Sequence, residues 1–182
     1  MLYITRNGGC SSLYEPNHEY LKRFTNPQRF DVTERRAAET VPLAHFRLQP
    51  HFIKLDTQGS DLPILQGAGD VLDSVIGIEI EVLFAELYKG QPFAGDIDTW
   101  LRSKEFELHD INRFYWRDLV DGDIRLIFGE ALYFRRDSSA IAKALHDCYR
   151  VSLRQTAAHA FQWASRYLRP KRIYDSDMQI GL

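Results

Sequence analysis

Asp56, Gln58, Glu79 and Glu81 are the residues whose types and spacing best suit chemistry. The first two close the stretch "FIKLDTQG" (52–59), and the glutamates alternate with isoleucine in "VIGIEIEVL" (75–83). A carboxylate at the end of a strand can orient a substrate or accept the proton of an alcohol, and it can equally cap a following helix. Gln58 can only hydrogen-bond. Glu79 and Glu81 share one face of their strand by its period of two, with Ile78 and Ile80 on the other. Carboxylates in an otherwise buried strand are costly unless paired or wet. Glu81, nearer the carboxyl end, is therefore expected at the rim, with a salt bridge to Lys54 as the competing reading.

Other candidates carry less. Asp121-Gly122-Asp123 has the look of a metal triplet, but "LVDGDIRLIF" reads better as a hairpin turn. The six histidines are scattered without ligand spacing. Ser11, Ser12, Tyr14 and Asn17 could line a substrate or simply form a turn and a capped helix. Phe114, Tyr115 and Trp116 could form an aromatic wall or pack in the core. A nucleophilic hydrolase is unsupported, since no Gly-x-Ser-x-Gly or Cys–His pattern occurs.

The elements that must position these residues follow from the pattern. "LYIT" (2–5) reads as a strand followed by an Asn-Gly-Gly turn, and a chain that opens inside a strand suggests that something precedes it. "NHEYLKRF" (17–24) predicts a short helix capped by Asn17, and "RFDVTERRAAETVPL" a half-exposed strand or strand pair. "FIKLD" predicts a strand covered on both faces, and "SDLPILQGAGDVL" (60–72) a helix with Ser60 as N-cap and Pro63 in its first turn. A buried strand (75–83), a helix (95–104) and strands at 106–114 and 130–136 come next, and 138–168 predicts a long helical segment. Strand, helix, strand, helix, strand, strand is the order of an open α/β sheet, whose ligands sit outside the carboxyl ends of the strands. Asp56 lies at such an end. Gly67-Ala68-Gly69-Asp70, by contrast, follows a helical pattern, so it reads as a helix end and not a phosphate cradle.

The 182 residues suffice for one domain with a real core. A formal charge of −2 gives no general pull toward nucleic acid or anionic membrane. Two cysteines, Cys10 and Cys148, form no framework, so reduced thiols and a cytoplasmic location are expected. No stretch approaches the ~20 apolar residues of a membrane helix.

The order of these segments is informative as a set. "FIKLDTQGSDLPILQGAGDVL", then "VIGIEIEVLFAELYKGQPFAGDIDTWLRSKEFELHDI", resembles the FkbM-type S-adenosylmethionine-dependent methyltransferases, and "LYITRNGGCSSLYEPN" is similar to a segment of some members. Gln58 stands where that family usually has Glu, Asp61 replaces a second Glu, and "LAHF" (43–46) lacks an acid common there. The resemblance implies a partial Rossmann-like class I methyltransferase sheet over residues 1–136, its second half, followed by a C-terminal helical extension over 137–182. The first strand with its cofactor-binding glycine turn does not precede Met1, so the chain looks truncated at the N-terminus.

What the resemblance implies for function is an O-methyltransferase using S-adenosylmethionine on a sugar or natural-product hydroxyl, a small-molecule or glycan acceptor. Asp56, Gln58 and Glu81 are then the catalytic candidates, with no metal. The alternative is a non-catalytic remnant serving as an assembly or binding module. In such a sheet "FIKLD" is central, so without its neighbour it is an uncovered edge, and self-association is expected.

Overall fold

The computed structural model describes residues 1–136, so the boundary after 136, the C-terminal helical extension and Cys148 lie outside the described residues. Two sheets organise what is described. Strand β1 (Leu2–Thr5) pairs antiparallel with β2 (Val32–Arg36) in a two-stranded ribbon. A mixed α/β unit holds the second sheet, in the order β3 (Phe52–Leu55), β4 (Gly77–Leu83), β6 (Ile124–Arg135), β5 (Phe106–Arg117). β3 and β4 are parallel, joined through helix α2 (Asp61–Gln66), while β6 runs antiparallel to both of its neighbours.

One face of this sheet is apolar for the reason the alternation gives. Ile53, Leu55, Ile78, Ile80, Val82, Ala131 and Tyr133 project together onto Leu62 and Leu65 of α2 and onto Ile97 and Leu101 of helix α3 (Ala94–Ser103). A second cluster gathers Leu83, Leu87 and Ile127 with Leu21, Phe24 and Phe30 of the N-terminal segment. That segment includes the short helix α1 (His18–Leu21), whose N-cap Asn17 accepts from the Tyr20 amide at 3.3 Å, as its sequence predicts.

Three local expectations need correcting. "FIKLD" is not covered on both faces: Ile53 and Leu55 are buried, but Phe52 is half-buried and Lys54 exposed. β3 stands at the edge of its sheet with nothing described beyond it. The helix expected over 60–72 is two pieces, α2 and a 3-10 turn at Gly69–Ser74. The cause lies at the glycines. Gly69 has φ +51°, and a Cβ on Gly67 would stand 3.2 Å from Pro42. The amides of Gly67 and Ala68 donate to Pro63 and Leu65, so this segment is indeed a helix end.

Ser60, third, occupies the N-cap position without a side-chain capping bond, and its buried hydroxyl has no partner. Asp61 instead braces the turn that precedes the helix, accepting from the Thr57 amide at 3.1 Å and the Gly59 amide at 3.2 Å. Asp61 reaches back into the turn because Gly59, at φ +95°, folds the chain over it.

Candidate functional site

The turn that leaves β3 builds a polar cluster at the carboxyl ends of the two parallel strands. Lys54 and Glu79 are register partners, as are Leu55 and Ile80, which brings Asp56 level with Glu81 on the same face. Gln58 adopts the left-handed conformation, φ 55°, and the Ser12 hydroxyl holds its carbonyl at 2.7 Å. Its side chain thereby turns back toward the strand ends.

Chemistry fixes which way the Gln58 amide faces. The Asp56 carboxylate needs a donor, so Gln58 turns Nε2 to it and Oε1 to the Tyr88 hydroxyl, whose single proton is shared between Oε1 at 2.8 Å and the Cys10 carbonyl oxygen at 3.0 Å. Gln58 Nε2 then donates to Asp56 Oδ1 at 3.0 Å and Glu81 Oε2 at 3.2 Å. The three residues singled out from the sequence are thus joined by one amide, which separates two carboxylates that would otherwise meet.

The cluster has an excess of negative charge. Burial raises the Glu81 carboxyl to about 8, helped by Asp56, Asp61 and Glu130 and opposed by Lys54. Glu130 is the register partner of Glu81 across the sheet, so two acids oppose one another on one face. Lys54 is engaged elsewhere: it pairs with Glu79, whose hydrogen bond and charge outweigh the effect of burial and raise the ammonium pKa. The competing salt-bridge reading therefore holds for Glu79 and not for Glu81. Burial also pushes up the Asp61 carboxyl, the Cys10 thiol and, much further, the Tyr88 phenol. Near neutral pH Glu81 is largely protonated, while Asp56 is exposed to solvent.

Ser12 belongs to the site's supporting shell through Gln58, whereas Asn17 binds Glu86 at 3.0 Å and caps α1. Trp116 packs on Phe24 and Phe128, and Phe114 stacks on Phe128 at 4.4 Å, so this aromatic run is part of the packing. Asp121 to Asp123 form the tip of the β5–β6 hairpin. Tyr88 has no sequence signal of its own beyond lying in "ELYKGQPF", and it was not among the expected site residues.

Comparison with known families settles kinship. The model of the methyltransferase FkbM domain matches residues 2–108. The chain belongs to this family. The match takes in β1 to β4, α3 and, of the cluster just described, Asp56, Gln58, Asp61, Glu81 and Tyr88, and ends early in β5, short of Glu130. Neither the curated proteins nor the solved structures include a match to this FkbM-domain chain.

Proposed function

We propose that the chain is the acceptor-binding part of an S-adenosylmethionine-dependent O-methyltransferase of the FkbM type, acting on a hydroxyl of a sugar or natural product. The observation that carries this reading is the pair Asp56 and Glu81, level at the carboxyl ends of parallel strands and clamped by Gln58. Asp56, exposed, is placed to accept the proton of an acceptor hydroxyl, and protonated Glu81 can donate a hydrogen bond to the same ligand. Gln58 has both amide hydrogens committed and acts by holding the two acids.

The order β3-β4-β6-β5, a parallel pair continued by an antiparallel hairpin, supports reading the sheet as the second half of a class I methyltransferase sheet. A cofactor-binding strand would then pair with the free side of β3. The described residues themselves offer S-adenosylmethionine no cradle. The amides of Thr57 and Gly59, in the one turn that leads from a parallel strand into a helix, are already taken by Asp61. Gly67 and Gly69 follow a helix. What these residues do is therefore confined to the acceptor.

Calorimetric titration of the full chain with S-adenosylmethionine, followed by an assay for methyl transfer to hydroxylated acceptors, tests the reading. Binding at micromolar cofactor with transfer supports it, as does transfer that appears only once a cofactor-binding half is supplied; no transfer in either case favours the non-catalytic alternative.

A further inference from the structure

Arg29 stands out among the charged side chains around the site. It lies in the 3-10 turn Pro27–Phe30, anchored where its carbonyl accepts the Asn7 amide at 3.0 Å. Its guanidinium carbon is 4.4 Å from the centroid of the Trp116 ring and 5.1 Å from that of Phe30. Arg23 and Arg125 share Asp118 and Asp121, but Arg29 makes no ion pair with any described residue. Its Nε is buried without a hydrogen-bond partner.

A half-buried cation held between aromatic rings, with an unused N–H, is in an unfavourable state that an oxyanion would relieve. The planar guanidinium offers paired donors matched to carboxylate or phosphate. Aromatic contact offsets only part of the missing counter-charge.

A chain of contacts links this arginine to the acid pair through two buried rings and one amide. The Phe30 ring meets the Tyr88 ring edge-on at 6.0 Å, and the Tyr88 hydroxyl reaches Gln58 and through it Asp56 and Glu81. Arg29 is close enough for its charge to act on both Tyr88 and Cys10. One side of the cluster thus carries excess carboxylate and the other an uncompensated guanidinium.

We propose that Arg29 binds an oxyanion of the methyl acceptor, so that the acceptor is an acidic hydroxyl compound, a sugar acid or a sugar phosphate, and not a neutral sugar. The ligand's hydroxyl faces Asp56 and its oxyanion faces Arg29. This deepens the acceptor-binding reading above and rests on it for the word acceptor, but not for the binding itself. A neutral sugar would leave the guanidinium as it is.

The test is binding to the full chain without cofactor, with D-glucuronate, D-glucose 6-phosphate and D-glucose as probes. At low salt the acids are expected to bind at least about tenfold tighter than glucose. The Arg29 Nε–H resonance should shift on titration with the preferred acid. Comparing the two acids decides between carboxylate and phosphate. Arg29→Gln should abolish the advantage of the acids, and Arg29→Lys, which keeps the charge but loses the fork, should restore part of it. Thermal melts of both variants report whether they remain folded, and the resonance shift in the unaltered chain does not depend on either.

Equal binding of acid and neutral sugar overturns the proposal, as does an acid preference that survives Arg29→Gln. Absence of binding by both acids at about 10 mM also overturns it. If the acids bind through Arg29 but no methyl is ever transferred, the anion site stands and the methyltransferase reading falls. If neutral alcohols are methylated regardless of Arg29, the reverse holds.

Discussion

Two polar clusters stand at the same end of the main sheet and behave oppositely. At the tip of the β5–β6 hairpin, Asp118 is completely buried beneath Arg23 and Arg125, at 2.8 and 2.6 Å, with Asp121 closing the group. Burial alone would raise the Asp118 carboxyl, yet the two guanidinium groups and the Val120 amide hold it down at about 2. At the ends of β3 and β4, Glu81 is raised to about 8, because burial disfavours its charged form and Asp56, Asp61 and Glu130 add to that effect while Lys54 opposes it. Matched charge makes a clamp: it ties the segment after α1 to the hairpin, where Leu119 donates to the Arg23 carbonyl at 2.7 Å. Unmatched charge makes a place that a ligand can complete.

The largest expected effects test that division directly. Asp118→Asn should give the greatest loss of thermal stability among single polar substitutions, since it leaves two arginines facing a buried neutral group. Asp56→Asn should leave the melting temperature nearly unchanged, because the side chain is exposed, yet lower the turnover of an active preparation by about 10²–10⁴-fold if Asp56 accepts the acceptor's proton. Differential scanning fluorimetry and steady-state kinetics read the two. A stable Asp118→Asn variant, or an Asp56→Asn variant with unchanged turnover, breaks the comparison.

Stability against pH should divide in the same way. Glu81 has a folded-state pKa above its unfolded value of 4.5, so its ionisation weakens the fold progressively as pH rises from about 4.5 to about 8. The slope in that window is up to about 1.4 kcal/mol per pH unit. Glu81→Gln should remove it. Asp118 is depressed from 3.8 to about 2, so its contribution is present above 3.8 and is lost as pH falls through that interval. Urea midpoints at pH 5, 7 and 9 for the parent and Glu81→Gln follow the first effect. Parallel curves for the two proteins would show that Glu81 is not held protonated.

How much of this was legible in the sequence depended on whether a residue acts through its own element. Asp56 and Glu81 were legible because strand alternation and register fix their level and face. The helix end at Gly67–Gly69 was legible from what precedes it. Ser60 was misleading: the left-handed turn through Gln58 and Gly59 brings the Asp61 carboxylate, not the serine hydroxyl, back to the amides. Tyr88 and Arg29 were not legible at all. Each reaches the site across a non-local contact, Tyr88 to Gln58 and Arg29 through the contact of its neighbour Phe30 with Tyr88, and no local spacing encodes such contacts.

Tyr88→Phe isolates one such contact. The ring, fully buried, stays in place while the hydroxyl that holds the Gln58 amide is removed. The expected loss of stability is about 1 kcal/mol. With Oε1 no longer held, the amide can turn away from Asp56 and Glu81, which should raise the apparent pKa of Glu81 further. Carboxyl-carbon NMR titration of the parent and Tyr88→Phe measures this, and an unchanged Glu81 titration would mean that the hydroxyl does not hold the amide in place.

The smallest effect is expected at the sheet edges, which repeat the contrast in another form. β5, the far edge, is long and carries Glu107, His109, Asp110 and Arg113, charges that discourage pairing with another chain. β3 is only four residues, and Lys54, already engaged with Glu79, is its one charged residue. In a parallel pair alternate residues face the partner strand, so Phe52 and Lys54, flanking Ile53, turn their backbone groups to the open side. Two such residues offer few hydrogen bonds, and the expected outcome is weak, concentration-dependent self-association through β3, seen by light scattering at tens of micromolar or above. Substituting Phe52 by Pro removes one outward N–H without touching the pairing with β4 and should shift association to higher concentration. A chain that stays monomeric, with the Phe52 and Lys54 amides protected from exchange, would show that this edge is sealed from within, and the contrast between the two edges would disappear.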